Sequence, residues 1–264
     1  INLEISISSL NFKNPTILAS GIMDEDSGSM KRIISSGAGG VVTKSIGLTE
    51  KKGYNNPTII ELEHGILNAM GLPNPGIKNF KDEISDLKDL KNPVIGSIYG
   101  SNVEDFLKLS QKMQEYGADA VELNMSCPHA KGYGLEIGSD PDLVYEITSK
   151  VKKKIKIPVF VKISPNLINL VKIAKEIEKA KADAIVAINT VKAMKIDLEL
   201  KKPVLSNKIG GYSGPAIKPV GIRCVFEIFK NTENEFIENQ LVIYLSKILI
   251  KPEISLPDSV HLIY

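Results

Sequence analysis

At 264 residues, 43% hydrophobic and 24% charged, the chain has ordinary globular composition and enough apolar residues for one large core. A formal net charge of +2 leaves no electrostatic footprint for nucleic acid or an acidic membrane surface, and no apolar run reaches membrane-spanning length. The 2 cysteines are far apart with no CxxC pair and no leader-like segment precedes them, which points to a reducing, cytosolic setting. The 3 histidines lack metal-ligand spacing with those cysteines, so no metal site is expected. Almost all cations are lysine, arginine standing only at Arg32 and Arg223, so a bidentate arginine clamp is not the expected anchor for an anion.

In chain order, Ile1 to Leu10 alternates and, with Phe12, predicts an N-terminal hairpin. Pro15 to Gly21 reads as a first core strand, and helical spacing follows through Met30, Ile33 and Ile34 to a stop at Gly37. Gly39 to Ser45 is a second apolar strand that ends in Lys44. Ile46 to Gly76 shows no helix and is rich in Gly, Asn and Pro; a loop this long inside a domain is expected to be functional. The alternation then resumes. Strands are expected at Pro93 to Ile98, Ala120 to Asn124, Pro158 to Ile163 and Ala184 to Thr190, and helices at Asn102 to Tyr116, Pro141 to Lys154 and Leu167 to Ala180. Gly37-Ala38-Gly39-Gly40-Val41-Val42, Gly117-Ala118-Asp119-Ala120-Val121 and Lys181-Ala182-Asp183-Ala184-Ile185-Val186 mark the same helix-to-strand turn of a repeated unit.

Ser20, Lys44, Asn124, Lys162 and Asn189 each fall at the expected carboxyl end of a strand. In a (β/α)8 barrel those ends converge on one mouth, whereas in an open sheet they are strung along an edge. Lysines and asparagines ending otherwise apolar strands are costly unless they share a polar ligand, which favours the barrel over lysines that snorkel to solvent one by one. Glu122-Leu123-Asn124-Met125-Ser126-Cys127-Pro128-His129 puts an amide, a thiol and an imidazole where a strand meets a glycine-containing loop. On residue chemistry alone Cys127 is either a proton acceptor or nucleophile on a lid, or a small buried hydrophobe. Gly210-Gly211-Tyr212-Ser213-Gly214-Pro215 is either an anion-facing turn before a helix or simply a turn. Cys224 reads as core, His64 as a surface or hydrogen-bonding residue, and Lys152-Lys153-Lys154 as a solvated face. Physical reasoning from these residues reaches a barrel enzyme for a planar anionic ligand, without naming the reaction.

Asn68-Ala69-Met70-Gly71-Leu72-Pro73-Asn74-Pro75-Gly76, Asn124-Met125-Ser126-Cys127-Pro128-His129, Val161-Lys162-Ile163-Ser164-Pro165-Asn166 and Gly211-Tyr212-Ser213-Gly214-Pro215-Ala216 together resemble class 1 dihydroorotate dehydrogenase, in order and spacing, to about Phe229. His129 and the residues after it look more like the class 1B, NAD-linked branch. The resemblance implies one FMN-binding (β/α)8 barrel domain over residues 1–264, cytoplasmic, oxidising dihydroorotate to orotate in pyrimidine synthesis. By that resemblance Cys127 is the base that takes the ring C5 proton while hydride leaves C6 for the flavin. It makes Lys44, Asn68, Ala69, Met70, Gly71, Leu72, Asn124, Asn189 and Thr190 substrate contacts. It makes Ser20, Lys44, Ser45, Asn124, Lys162, Ile188 and Gly214 the flavin lining. It further implies a homodimer associated with a subunit that carries FAD and a 2Fe-2S cluster. Two other readings stay open: a dihydropyrimidine dehydrogenase-like flavoenzyme, and a non-catalytic remnant that binds the electron-transfer partner.

The resemblance fades after Phe229. No glycine follows Gly221, so the two glycine turns that the family pattern uses to grip the FMN phosphate are missing. The expectation is six family-like strands followed by a divergent tail at 230–264, with Leu241 to Tyr244 or Ile248 to Ile250 as substitutes for a strand and weakened retention of FMN.

Overall fold

The computed structural model describes residues 2–126, 135–232, 241–244 and 260–263. Its main sheet has 8 parallel strands: β1 (Ile17–Leu18), β2 (Gly40–Val42), β3 (Val94–Ile98), β4 (Ala120–Asn124), β5 (Val159–Ile163), β6 (Ala184–Ala187), β7 (Leu241–Tyr244) and β8 (Val260–Ile263). Each strand pairs with the next in the chain, which is the strand order of a (β/α)8 barrel. Leu241 to Tyr244 thus takes the seventh place, beside β6 in the register Ile185 to Leu241, and Val260 to Ile263 takes the eighth. The tail therefore continues the sheet beyond the six strands expected. The alternative placed on Ile248 to Ile250 lies outside the described residues, and no ladder joins β8 to β1 among the described ones.

Helices α1 (Ser27–Ser35), α2 (Lys81–Ser85), α3 (Val103–Tyr116), α4 (Pro141–Lys154), α5 (Leu170–Lys179) and α6 (Lys218–Asn231) follow β1 to β6 in turn. Their ends are set by local chemistry. Asn102 caps α3 through the Asp105 amide, Gly117 ends it at φ +102, and Asp140 caps α4 just before Pro141. Lys152, Lys153 and Lys154 lie in the last turn of α4, where cations are favoured. Lys152 departs from the solvated face expected of it, because it is ion-paired with Asp183. Among the described residues no helix is long and apolar enough to cross a membrane.

Two apolar layers follow from the strand period of 2. Val41, Val94, Val121, Leu123, Val159, Val161 and Ile185 face the helices in one large cluster. Val42, Ile95, Ala120, Phe160, Ala184 and Val186 form a second cluster with Ile7 and Phe12 of the N-terminal hairpin, whose strands are Ile5–Ile7 and Leu10–Phe12. The expected hairpin thus fills the amino-terminal end of the barrel interior. Each fully buried side chain of this size stabilises the fold by roughly 1.5–3 kcal/mol.

The segment 46–76 differs from the long loop expected. Ile59–Leu62 and Gly65–Asn68 form a hairpin that joins Gly210–Ser213 and Val191–Ala193 in a separate 4-stranded antiparallel sheet. The glycine-rich run at 210 is accordingly a strand of that sheet rather than a turn. Its glycines admit close approach: a Cβ on Gly211 would stand 2.0 Å from Thr190 Oγ1. The hairpin was hard to see because Pro57, Gly65 and Asn68 interrupt any run of β-formers and its exposed face carries Ile59 and Ile66.

Candidate functional site

From β2 to β5 the inward phase is apolar at the start of the strand and polar toward its carboxyl end. On β4, Ala120 belongs to the interior cluster, and Glu122 and Asn124 follow it at the same phase. On β5 the pair is Phe160 then Lys162; along β3 it is Ile95 then Ser97; past β2, Val42 is followed by Lys44. Lys44 and Lys162 are 7% and 5% exposed, and Glu122 is fully buried. The sheet thus gathers the polar strand ends above an apolar floor, as the barrel reading required.

A continuous chain of hydrogen bonds links these ends. Ser97 Oγ donates to Glu122 Oε1 at 3.0 Å, and Ser45 Oγ lies 2.8 Å from Ser97 Oγ and 3.1 Å from Ser20 Oγ. Asn124 Nδ2 donates to Ser45 Oγ at 2.9 Å. Its Oδ1 accepts from the Ser126 amide at 3.2 Å and the Ser126 hydroxyl at 2.8 Å. Asn189 Nδ2 in turn donates to Ser126 Oγ at 2.7 Å, and Asn189 Oδ1 accepts from the Thr190 amide at 2.8 Å. Ser20, Ser45, Asn124 and Asn189 are therefore brought together.

The charged groups sit alongside. Lys44 Nζ is 3.1 Å from Glu25 Oε1, and the Lys44 amide donates to the Asp24 carbonyl at 3.1 Å. Asp24 accepts from the Gly21 amide at 2.5 Å. Burial pushes the Asp24 carboxyl from 3.8 up to about 6, against the Gly21 amide and the charges of Lys44 and Lys162, which pull it down. Burial also pushes the Glu122 carboxyl up, opposed by the Lys162 charge and the Ser97 hydroxyl. Asp24 Oδ1 and Glu122 Oε2 have no hydrogen-bond partner among the described residues.

The antiparallel sheet supplies the remaining expected residues. Asn68 Nδ2 donates to the Gly211 carbonyl at 3.3 Å, and Gly211 abuts Thr190. Asn166 Nδ2 donates to the Thr190 carbonyl at 3.0 Å, fixing the strand-six end from the other side. Ala69 is buried, with its amide on the Thr58 carbonyl at 2.7 Å, and Met70 accepts from the Tyr54 amide at 2.9 Å. Gly71 and Leu72 both have positive φ, +77 and +58. Gly214, at φ +112, packs against Gly65. Ile188 is buried directly after β6. Cys127 and His129 fall within 127–134, outside the described residues. Cys224 is fully buried and His64 is exposed, as expected.

Sequence reasoning passed over Glu122, Ser97, Asp24 and Glu25. The signal for the first two was available: a carboxylate and a hydroxyl in phase with the interior residues of otherwise apolar strands. Asp24 and Glu25 lie in an irregular β1–α1 segment, where no periodicity marks the inward direction.

The donor set fits a planar, anionic heterocycle. Two buried lysines offer positive charge, and serine hydroxyls and asparagine amides offer polar edges. Among the described residues no group of His, Cys, Asp and Glu could hold a metal ion.

The family model described as dihydroorotate dehydrogenase matches residues 2–237. A Thermoplasma volcanium protein named dihydroorotate dehydrogenase B (NAD(+)), catalytic subunit, is 55% identical over 236 residues, covering 89% of this chain and 78% of that protein. A Methanocaldococcus jannaschii protein of the same name is 51% identical over 233 residues, covering 87% and 76%. Among solved structures, ligand-free DHODH from Eimeria tenella superposes with a TM-score of 0.77 at 21% identity, over 92% of this chain and 75% of that one, a likeness of fold. Both β7 and β8 lie beyond the residues the family model matches.

Proposed function

Because this chain belongs to the dihydroorotate dehydrogenase family, we propose that it catalyses the flavin-dependent oxidation of dihydroorotate to orotate in pyrimidine biosynthesis, as an NAD-linked type B catalytic subunit. The observation that carries the reading is the convergence of buried Lys44 and Lys162 with the Ser20–Ser45–Asn124–Asn189 hydrogen-bond chain at the carboxyl ends of the strands. That is where barrel enzymes carry their chemistry.

The resident group is read as FMN, which supplies the acceptor for the hydride leaving ring C6. Ser20, Ser45, Lys162, Ile188 and Gly214 line it in this reading, with Lys44 and Asn124 shared between it and the substrate. Lys44 stabilises negative charge that develops on the rings. Asn68, Ala69, Met70, Gly71, Leu72, Asn189 and Thr190 hold the substrate carboxylate and ring amides. Cys127, as thiolate, takes the proton from ring C5, so that the C5–C6 double bond forms as hydride departs from C6. The word subunit in the relatives' name supports a second subunit, read here as the carrier of FAD and a 2Fe-2S cluster that passes electrons to NAD. A homodimer of this chain, a cytoplasmic location and a single domain over 1–264 complete the reading.

The test is the visible spectrum of the purified protein with FMN, before and after anaerobic dihydroorotate. Bleaching of the flavin bands by dihydroorotate and not by dihydrouracil is the expected result. A flavin that binds and is not reduced by dihydroorotate would overturn the reading.

A further inference from the structure

Glu122 has no part in the reaction set out above, yet the orientation of the mouth traces back to it. A carboxylate only accepts, so the single Ser97 hydroxyl hydrogen is committed to Glu122 Oε1. Ser97 must then accept at its 2.8 Å contact with Ser45, which makes Ser45 the donor there. With its own hydrogen spent, Ser45 accepts both from Asn124 Nδ2 and from Ser20. Asn124 is thereby fixed with its nitrogen inward and its Oδ1 toward Ser126. The Ser126 hydroxyl, donating to Asn124, accepts from Asn189. From the buried carboxylate to Asn124 the polarity of each hydrogen bond follows from the one before it, and at Asn124 the Ser126 backbone amide sets the same orientation from the other end.

The register adds a second link. Asn124 pairs with Lys162 and Glu122 with Phe160, so Glu122 and Lys162 are diagonal neighbours on the inner face of adjacent strands. The lysine charge acts on the Glu122 carboxyl. Negative charge on Glu122 beneath Lys162 reduces what that lysine offers to a ligand above it.

We propose that Glu122 is a positioning residue: through Ser97 and Ser45 it fixes the Asn124 and Asn189 amides, and through its charge beside Lys162 it sets how strongly the mouth favours an anionic ring. The second role rests on the flavin reading above; the first does not.

The experiment uses the full chain as wild type, Glu122→Gln and Ser97→Ala. With FMN bound, glutamine removes the charge and keeps the shape. The flavin midpoint potential then moves positive, corresponding to about a tenfold gain in the reduced, anionic form relative to the oxidised one. Ser97→Ala keeps the charge and changes that ratio by less than about threefold. A Glu122→Gln potential equal to wild type overturns the electrostatic role. The second measurement needs no flavin: hydrogen exchange of the Asn124 side-chain amide by NMR in the ligand-free protein. Ser97→Ala speeds that exchange by about tenfold or more, since the Ser45 acceptor loses its fixed orientation, whereas Glu122→Gln, whose side-chain oxygen still accepts from Ser97, changes it by less than about threefold. Unchanged exchange in Ser97→Ala overturns the positioning role. Should Glu122→Gln fail to fold, Ser97→Ala decides the positioning role alone. Wild type that takes up no FMN, while the Asn124 amide behaves as stated, refutes the flavin reading and the electrostatic role and leaves the positioning role standing.

Discussion

The Asn124 side chain reaches past β3 to donate to the Ser45 hydroxyl at 2.9 Å, tying together the ends of β4 and β2, which are not neighbours in the sheet. A tie of this kind fixes the mouth against the shear that backbone ladders alone permit. Asn124→Ala removes that bond and both acceptor contacts to Ser126, leaving buried polar groups unpaired. The expected loss is about 2–3 kcal/mol of unfolding free energy, read by urea denaturation. A loss under about 0.5 kcal/mol would mean that the chain of bonds does not hold the site together.

Asp24 gives the fold a pH signature. Its carboxyl ionises near 3.8 in an unfolded chain and at about 6 here, because burial disfavours the charge. The stability it contributes is fully present below the unfolded value and is lost as pH rises through about 6. Asp24→Asn carries no such charge and keeps an acceptor for the Gly21 amide. Relative to wild type it gains on the order of 2–3 kcal/mol at neutral pH, and this gain vanishes as pH falls toward the unfolded value. Denaturation at pH near 4 and near 7.5 checks this; a difference independent of pH would sink it.

Glu25 and Lys44 form a one-sided ion pair at 3.1 Å, the lysine side chain 9% exposed and the carboxylate 67%. A carboxylate that exposed contributes little to stability, and Glu25→Gln is expected to cost less than about 1 kcal/mol. Its effect falls instead on ligands. With its competitor gone, Lys44 binds orotate more tightly, by roughly two- to fivefold in calorimetry at low salt. Weaker binding in the variant would show that Glu25 helps to orient Lys44 rather than competing for it.

The barrel was legible because its strands are buried on both faces. Val159 to Ile163 and Ala120 to Asn124 read as near-continuous apolar runs, and Lys162 and Asn124 marked their carboxyl ends. Lys44, Lys162 and Asn124 were found this way. Glu122 was passed over because it sits one inward step below the end, where only phase relative to Ala120 separates an interior carboxylate from a solvated one. The sheet formed by Asn68 and Gly211 was illegible for a different reason: its strands are 4 residues or shorter, and the hairpin at 59–68 joins Gly210–Ser213 across more than a hundred residues. The tail strands lacked turn signals: Leu241 to Tyr244 was legible from its apolar run alone and its ladder to β6 gives it a place, whereas Val260 to Ile263 is revealed only by its ladder to β7.

Gly211 tests how tightly the two sheets are coupled. Its missing Cβ leaves room for Thr190, and an added methyl carbon would lie 2.0 Å from Thr190 Oγ1. Gly211→Ala must push Thr190 aside, and Asn68 with it, since Asn68 Nδ2 donates to the Gly211 carbonyl. The stability cost is expected at about 1–3 kcal/mol. Kinetically, KM for dihydroorotate rises about tenfold or more while kcat falls less, because ground-state contacts are lost before the reacting groups move. A variant with wild-type KM would remove Asn68 and Thr190 from the substrate contacts.

The last expectation concerns how firmly FMN is held. Strands β7 and β8 continue the sheet, yet the family match stops at residue 237 and residues 222–264 contain no glycine. Backbone amides approach a phosphate closely where no Cβ intervenes, and each such charge-assisted hydrogen bond contributes about 1.5–3 kcal/mol. In the flavin reading, without glycine turns at these strands the ring contacts proposed for Lys44, Lys162 and Asn124 would carry more of the affinity. FMN is then expected to leave during desalting, with a fraction of flavin well below one per chain, and to return with a dissociation constant raised by about tenfold or more for each lost bond. Flavin fluorescence, quenched on binding, measures both steps. Riboflavin, which lacks the phosphate, should bind nearly as well as FMN here. Stoichiometric FMN that survives desalting, or a strong preference for FMN over riboflavin, would show that residues of the tail grip the phosphate without glycine.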